Sequence, residues 1–179
     1  MLCTSITAIS VNSKEPAEIA VITQKSRTIS LSDYGIKPGN SKSFGYKLFK
    51  AIEKINADRR GDENIVLELL PGTYHFYPSE KLKREYYISN HDQDNPKFVG
   101  IPIENMNNIT IDGNGAQLIF HGVMLPLSVV NSQNCCVKNL SIDFENPHIF
   151  QIEVVENNGS EGLAFRPANW VKYRITKAV

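Results

Sequence analysis

The 179-residue chain is long enough for one domain with a real core. Its 19 Lys+Arg against 19 Asp+Glu, with a pI near 6.9, remove any electrostatic case for nucleic acid or an acidic membrane surface as partner. No apolar run approaches the ~20 residues that span a bilayer, and Cys3, Cys135 and Cys136 contain no Cys-x-x-Cys. Adjacent cysteines on a strand point to opposite faces, so neither a zinc site nor a disulfide framework is expected, and one of Cys135 and Cys136 is expected as a small core residue.

Met1 to Ser13 is mildly apolar, ends in small residues and meets the polar Lys14-Glu15-Pro16, so residues 1–27 read as a signal-like or disordered leader. Thr28-Ile-Ser-Leu-Ser-Asp-Tyr34 alternates like a strand and ends at the turn Gly35-Ile-Lys-Pro-Gly39. Asn40 or Ser41 then caps an expected helix, with Phe44, Leu48, Ala51, Ile52 and Ile55 on one face and Lys47, Lys50, Glu53 and Lys54 on the other. An amphipathic helix ahead of a β-structure suits a cap that covers open apolar interior and strand edges.

Asp58 to Glu63 reads as a solvated turn, Ile65 to Leu70 as a buried strand, and Pro71-Gly72 as a break before the strand Thr73-Tyr-His-Phe-Tyr77. From Pro78 to Pro96 the chain is polar and charged, an excursion. Asp92-Gln-Asp94 inside it lacks the Gly and distal Glu of a calcium loop at the required spacing, so no metal is expected.

Ile103 to Phe144 holds two near-copies of one pattern: aligning Asn108 on Asn134 puts Ile111 on Val137, and a two-residue deletion later puts Leu118 on Ile142 and Phe120 on Phe144. Each copy joins a short alternating strand to Asn and Gly, which tolerate left-handed backbone. A unit of roughly 24 to 26 residues with Asn-rich corners and no helix predicts stacked coils of a parallel β-helix, the alternative being two unrelated strands of a sandwich. After Phe144 the pattern changes. Phe150, Ile152 and Val154 alternate, Asn157-Asn-Gly159 turns the chain into Leu163-Ala-Phe165, and Val171 to Ile175 alternates again, which predicts an antiparallel sheet.

The run Ser30-Leu-Ser-Asp-Tyr-Gly-Ile-Lys-Pro-Gly39, the helix, and Leu70-Pro-Gly-Thr-Tyr-His-Phe76 resemble the start of pectate-lyase-like right-handed β-helix enzymes. More narrowly, Tyr86-Tyr-Ile-Ser-Asn-His91, Asn108-Ile-Thr-Ile-Asp-Gly-Asn-Gly115, His121-Gly122 and Lys138-Asn-Leu-Ser-Ile-Asp-Phe-Glu-Asn-Pro147 are similar to glycoside hydrolase family 110, exo-acting α-1,3-galactosidases. The resemblance covers residues 28–175 and matches only the amino-terminal part of such an enzyme. It implies an all-β chain: a capping helix and the first coils of a right-handed parallel β-helix over 28–148, then the start of an inserted antiparallel barrel over 149–179. It further implies a secreted or periplasmic glycosidase acting on a glycan with terminal α-galactose, without a cofactor, whose catalytic aspartates lie in later coils.

Within the chain itself, Asp143 and Glu145 share one strand face, in phase with solvent, and are the candidate catalytic carboxylates, with ordinary surface acids as the alternative. His91, His121 and His148 are candidate contacts for sugar hydroxyls. Asp112, before Gly113, is expected as a turn residue. Trp170 is able to stack on a sugar, though its strand pattern points to a core position. A β-helix lyase or polygalacturonase, and a non-catalytic glycan-binding module, are the rival readings, and the oligomeric state, a homo-oligomer included, is left open.

Overall fold

The computed structural model describes residues 25–87, 95–146 and 151–171. These comprise ten strands and one α-helix: β1 Ser26–Ser30, α1 Phe44–Ala57, β2 Asn64–Glu68, β3 Thr73–Phe76, β4 Lys83–Arg84, β5 Lys97–Glu104, β6 Ile109–Phe120, β7 Leu125–Val130, β8 Cys136–Phe144, β9 Ile152–Asn157 and β10 Leu163–Pro167. Predominance of β-structure with a single helix matches the expected all-β class.

The first sheet is parallel throughout. β1 pairs with β2, β2 with β6 and β6 with β8, while β3 also pairs with β6. A second sheet pairs β5 with β7 in parallel and β4 with β5 antiparallel. The self-alignment seen in the sequence is the physical register of the first sheet: Ile111 faces Val137, Leu118 faces Ile142 and Phe120 faces Phe144, with the irregularity falling between Asp112 and Ala116. The β5–β7 ladder follows the same repeat, Val99 facing Leu125 and Glu104 facing Val130. Local pattern does not mark these two strands, because Pro102 and Pro126 interrupt their alternation.

Period-2 alternation decides what is buried. Tyr74, Phe76, Leu118 and Phe120 point inward and are fully buried, and the core they form is shared with α1 through Phe44, Leu48, Ala51, Ile52 and Ile55. The aromatic rings build one continuous column. Phe44 meets Phe76 edge-on at 4.9 Å, Phe76 stacks on Phe120 at 4.7 Å, and Phe120 lies 5.9 Å from Phe144. Gly100 of β5 has to be glycine here, since a Cβ would sit 2.4 Å from the Phe120 ring and 2.8 Å from the Pro126 carbonyl.

Asparagines form the corners. Asn105, Asn108, Asn131 and Asn134 all have φ between 49° and 53°, the left-handed region that Asn tolerates better than other non-glycine residues. Their side chains stack in a ladder: Asn131 donates to Asn105, and Asn134 donates to Asn108 at 2.9 Å. Corner and strand therefore repeat together, which fixes the register more firmly than either alone.

Several local expectations need correction. The strand expected over 28–34 ends at Ser30, and Leu31–Tyr34 is a 3-10 turn closed by Gly35 at φ 75°, because Leu31 is drawn fully into the core. The helix starts at Phe44 with Ser43 in the cap position and no side-chain cap bond, and Asn40 instead accepts a hydrogen bond from the Tyr77 hydroxyl at 2.6 Å. The β9–β10 pair is antiparallel as expected, but its connection is a longer loop containing Gly159–Glu161, not a two-residue Asn-Gly turn. Trp170, expected in the core, is exposed. Cys135 packs half-buried against the core, as one of the pair was expected to, and burial pushes its thiol pKa up. Of the leader expected over 1–27, Ser26 and Arg27 belong instead to β1, paired with Asn64 and Ile65 of β2; residues 1–24, the Asp92-Gln-Asp94 stretch and most of the expected strand 171–175 lie outside the described residues.

Candidate functional site

The outward face at the end of the first parallel sheet collects the polar residues that alternate with the core. By register, Thr73, Gln117 and Ser141 form one row, and His75, Ile119 and Asp143 the next. One step beyond the strands the ladder continues through His121 N donating to Phe76 O at 2.9 Å and Glu145 N donating to Phe120 O at 3.0 Å. That continuation aligns Tyr77, His121 and Glu145 as the third row.

This third row is tightly knit. The Tyr77 ring stacks on His121 at 4.1 Å with an interplanar angle of 11°. His121 is buried at 9 % exposure; its Nδ1 lies 3.0 Å from Glu145 Oε2 and its Nε2 lies 2.8 Å from His75 Nδ1. Asn146 also reaches Glu145 Oε2, at 3.5 Å, and Asn40 holds the Tyr77 hydroxyl. The arrangement presents aromatic and imidazole rings with a carboxylate behind them, on a rigid strand scaffold. Such a surface offers ring faces and hydrogen-bonding groups.

Of the residues singled out from sequence, His121 and Glu145 are brought into direct contact. Asp143 sits exposed on the same face, its Oδ1 accepting from the backbone N–H of Phe144 at 2.8 Å. On a strand, residues two apart are offset by about 6.7 Å along the chain, which sets the spacing of Asp143 and Glu145. His91 and His148 lie outside the described residues. His75, Tyr77 and Asn40 were missed as site residues. Their signal was in the sequence as the period-2 set Thr73, His75, Tyr77, and it became informative only once β3 was placed beside β6.

Asp112, expected as a turn residue, lies within β6 at the edge of its register shift, paired with Lys138. It accepts from Asn114 N at 3.0 Å, from Asn139 Nδ2 at 3.0 Å and from Lys138 Nζ at 3.1 Å, and these bonds, led by that from Asn139, hold its carboxyl below the usual range despite some burial.

A second polar network lies outside β5 and β7. Arg84 Nε grips both oxygens of Glu104 at 2.8 and 3.0 Å, while the Tyr86 hydroxyl bonds Glu104 and contacts the buried Ser128 at 3.2 Å. Burial works against the Glu104 carboxylate, but the bonds from Arg84 and Tyr86 outweigh it and lower its pKa. Cations over rings tie this region to the helix: Arg84 sits over Phe49 at 5.5 Å and Lys81 over Tyr46 at 4.5 Å. Glu63 is likewise locked, accepting from Arg60 N at 3.0 Å and paired with Arg27 at 2.9 Å, with its pKa lowered by the Arg60 bond foremost. These acids are structural anchors whose protons are held off, the opposite of what a general acid at neutral pH requires.

Among the described residues no helix is long and apolar enough to cross a membrane, and no group of three or more His, Cys, Asp or Glu is arranged to hold a metal. No family model matches the chain. Curated relatives do. The chain is 47% identical over 159 residues to "Alpha-1,3-galactosidase B" of Bacteroides fragilis, covering 89% of the chain and 27% of that protein. It is 50% identical over 147 residues to a protein of the same name from Phocaeicola vulgatus, covering 82% of the chain and 25% of the relative. "Alpha-1,3-galactosidase A" of Bacteroides fragilis is more distant, at 32% over 143 residues. The chain spans about a quarter of the length of the curated relatives it matches. It is thus a homologue, over most of its own length and a quarter of theirs, of proteins named alpha-1,3-galactosidase.

Proposed function

We propose that this chain is the amino-terminal scaffold segment of a family 110 glycoside hydrolase, an exo-acting enzyme that removes terminal α-1,3-linked galactose from glycans with inversion. The observation that carries this reading is the 47% identity over 89% of the chain to a protein named alpha-1,3-galactosidase B. The parallel strands, with repeat offsets equal to the sequence repeat and asparagine corners in a ladder, support coils of a right-handed parallel β-helix with α1 as its cap. The β9–β10 hairpin supports an inserted antiparallel domain from residue 149 onward. Secretion or a periplasmic location goes with this reading.

The engagement of several carboxylates supports the scaffold role. Glycoside hydrolysis needs one acid held protonated and a second carboxylate about 6.5–9.5 Å away for inversion. Glu63, Glu104 and Asp112 are tied to cations and backbone donors with lowered pKa values, and Glu145 is engaged with His121. In this reading the reacting pair is supplied by further coils, and the face of His75, Tyr77 and His121 flanks the substrate.

The test is hydrolysis of p-nitrophenyl α-galactoside and of α-1,3-galactobiose by this chain and, side by side, by a protein extended past Val179. Galactose release by the extended protein alone, with the β-anomer appearing first by NMR, is the expected result. Release by this chain itself would make Asp143 and Glu145 the reacting pair, and release by neither would overturn the galactosidase reading.

A further inference from the structure

Both ring nitrogens of His121 are engaged within the protein. Nδ1 lies 3.0 Å from Glu145 Oε2, and an ionised carboxylate only accepts, so the proton is on Nδ1. In the neutral ring Nε2 is then a bare lone pair, and it accepts across 2.8 Å from Nδ1 of His75. This second bond draws the His75 proton onto Nδ1 and leaves His75 Nε2 as an acceptor. No described residue makes a hydrogen bond to that atom.

The surroundings of His75 narrow what reaches it. His75 is half-buried on the outward face, beside the apolar Ile119 in the same row, with Asp143 beyond Ile119 and Glu145 one row over. The acids disfavour an anion, and the bare nitrogen needs an O–H or N–H donor. A half-buried acceptor next to aliphatic surface suits a neutral hydroxyl on a ring whose C–H edge lies against Ile119.

We propose that His75 Nε2 is a hydroxyl-binding position for a neutral pyranose, held in its acceptor tautomer by the chain Glu145–His121–His75. His121, expected from sequence to touch the sugar, is in this arrangement a positioning residue, and His75 makes the contact. The choice of a sugar as ligand rests on the glycan reading above, whereas the tautomer chain does not.

The experiment is a long-range proton–nitrogen NMR correlation on the full chain with ¹⁵N-labelled histidine at pH 8, well above the roughly 6.5 at which an ordinary imidazole takes a second proton. Protonated Nδ1 and bare Nε2 are expected in both His75 and His121. Titration with free D-galactose is expected to move the His75 Nε2 resonance and leave the His121 nitrogens nearly still. In Glu145→Ala the two rings are expected to show mixed tautomers, with apparent galactose affinity about five- to tenfold weaker, the scale of one hydrogen bond. A protonated His75 Nε2 in the unaltered chain overturns the relay. Correct tautomers with a His75 Nε2 indifferent to galactose, glucose and mannose alike overturn the hydroxyl site. A response to these sugars combined with no galactose release by the extended protein leaves the site standing and removes the galactosidase reading alone.

Discussion

Leu118 and Ile142 are register partners on β6 and β8, and both point into the same column beneath Tyr74. They differ in cover: Leu118 is 0% exposed, whereas Ile142 is 44% exposed. Leu118→Ala removes buried methylenes and leaves a cavity enclosed by Tyr74, Ile142 and the core, so about 3 kcal/mol of stability is expected to go. Ile142→Ala removes a side chain already half in water, and solvent fills the space left behind. Only the buried part of the transfer energy is lost, about 1 kcal/mol. Urea unfolding followed by far-UV circular dichroism measures both from the midpoint shift at constant slope. Equal costs at the two positions would refute the account of β8 as the less covered side of the stack. In a longer protein carrying a further coil over β8, the Ile142 substitution is expected to become as costly as that at Leu118.

Gly100→Ala brings a methyl within 2.4 Å of the Phe120 ring and is expected to destabilise the chain by about 2 kcal/mol, again read from urea midpoints. At Asn134, φ 52° and the bond to Asn108 act together, so Asn134→Ala is expected to cost about 2 kcal/mol and Asn134→Gly, which keeps the backbone conformation at ease, about half that. Equal losses would mean that the ladder alone matters. Glu104 has a lowered pKa in the folded state, so its contribution to stability is full above the unfolded value of about 4.3 and is lost as pH falls through the folded value below it. Urea midpoints measured from pH 6 downward are expected to fall more steeply for the unaltered chain than for Glu104→Gln. A steeper fall in the variant would contradict the ion-pair assignment.

Much of the fold is legible in the chain itself, because its information is periodic. Alternation in β3 and β6, the helical face of Phe44, Leu48, Ile52 and Ile55, and the Asn108-to-Asn134 repeat each impose a geometry that short-range sterics and burial dictate. The repeat even specifies which residues lie opposite one another, since in-register parallel stacking puts like on like. What local pattern does not carry is the path between the paired strands. β5 and β7 are not legible locally because Pro102 and Pro126 blur their alternation, and it is the shared core with Ile101 and Ile103 that makes them strands. The strand expected through Tyr34 failed for a related reason, since burying Leu31 required the chain to turn early. The site shows the same division. Sequence named His121 and Glu145, 24 residues apart, as separate candidates; only the stacking of β3, β6 and β8 set His75 against His121 at 2.8 Å and His121 against Glu145 at 3.0 Å. A hydrogen-bond chain across three strands is a property of their register, and register between distant segments is decided by tertiary packing.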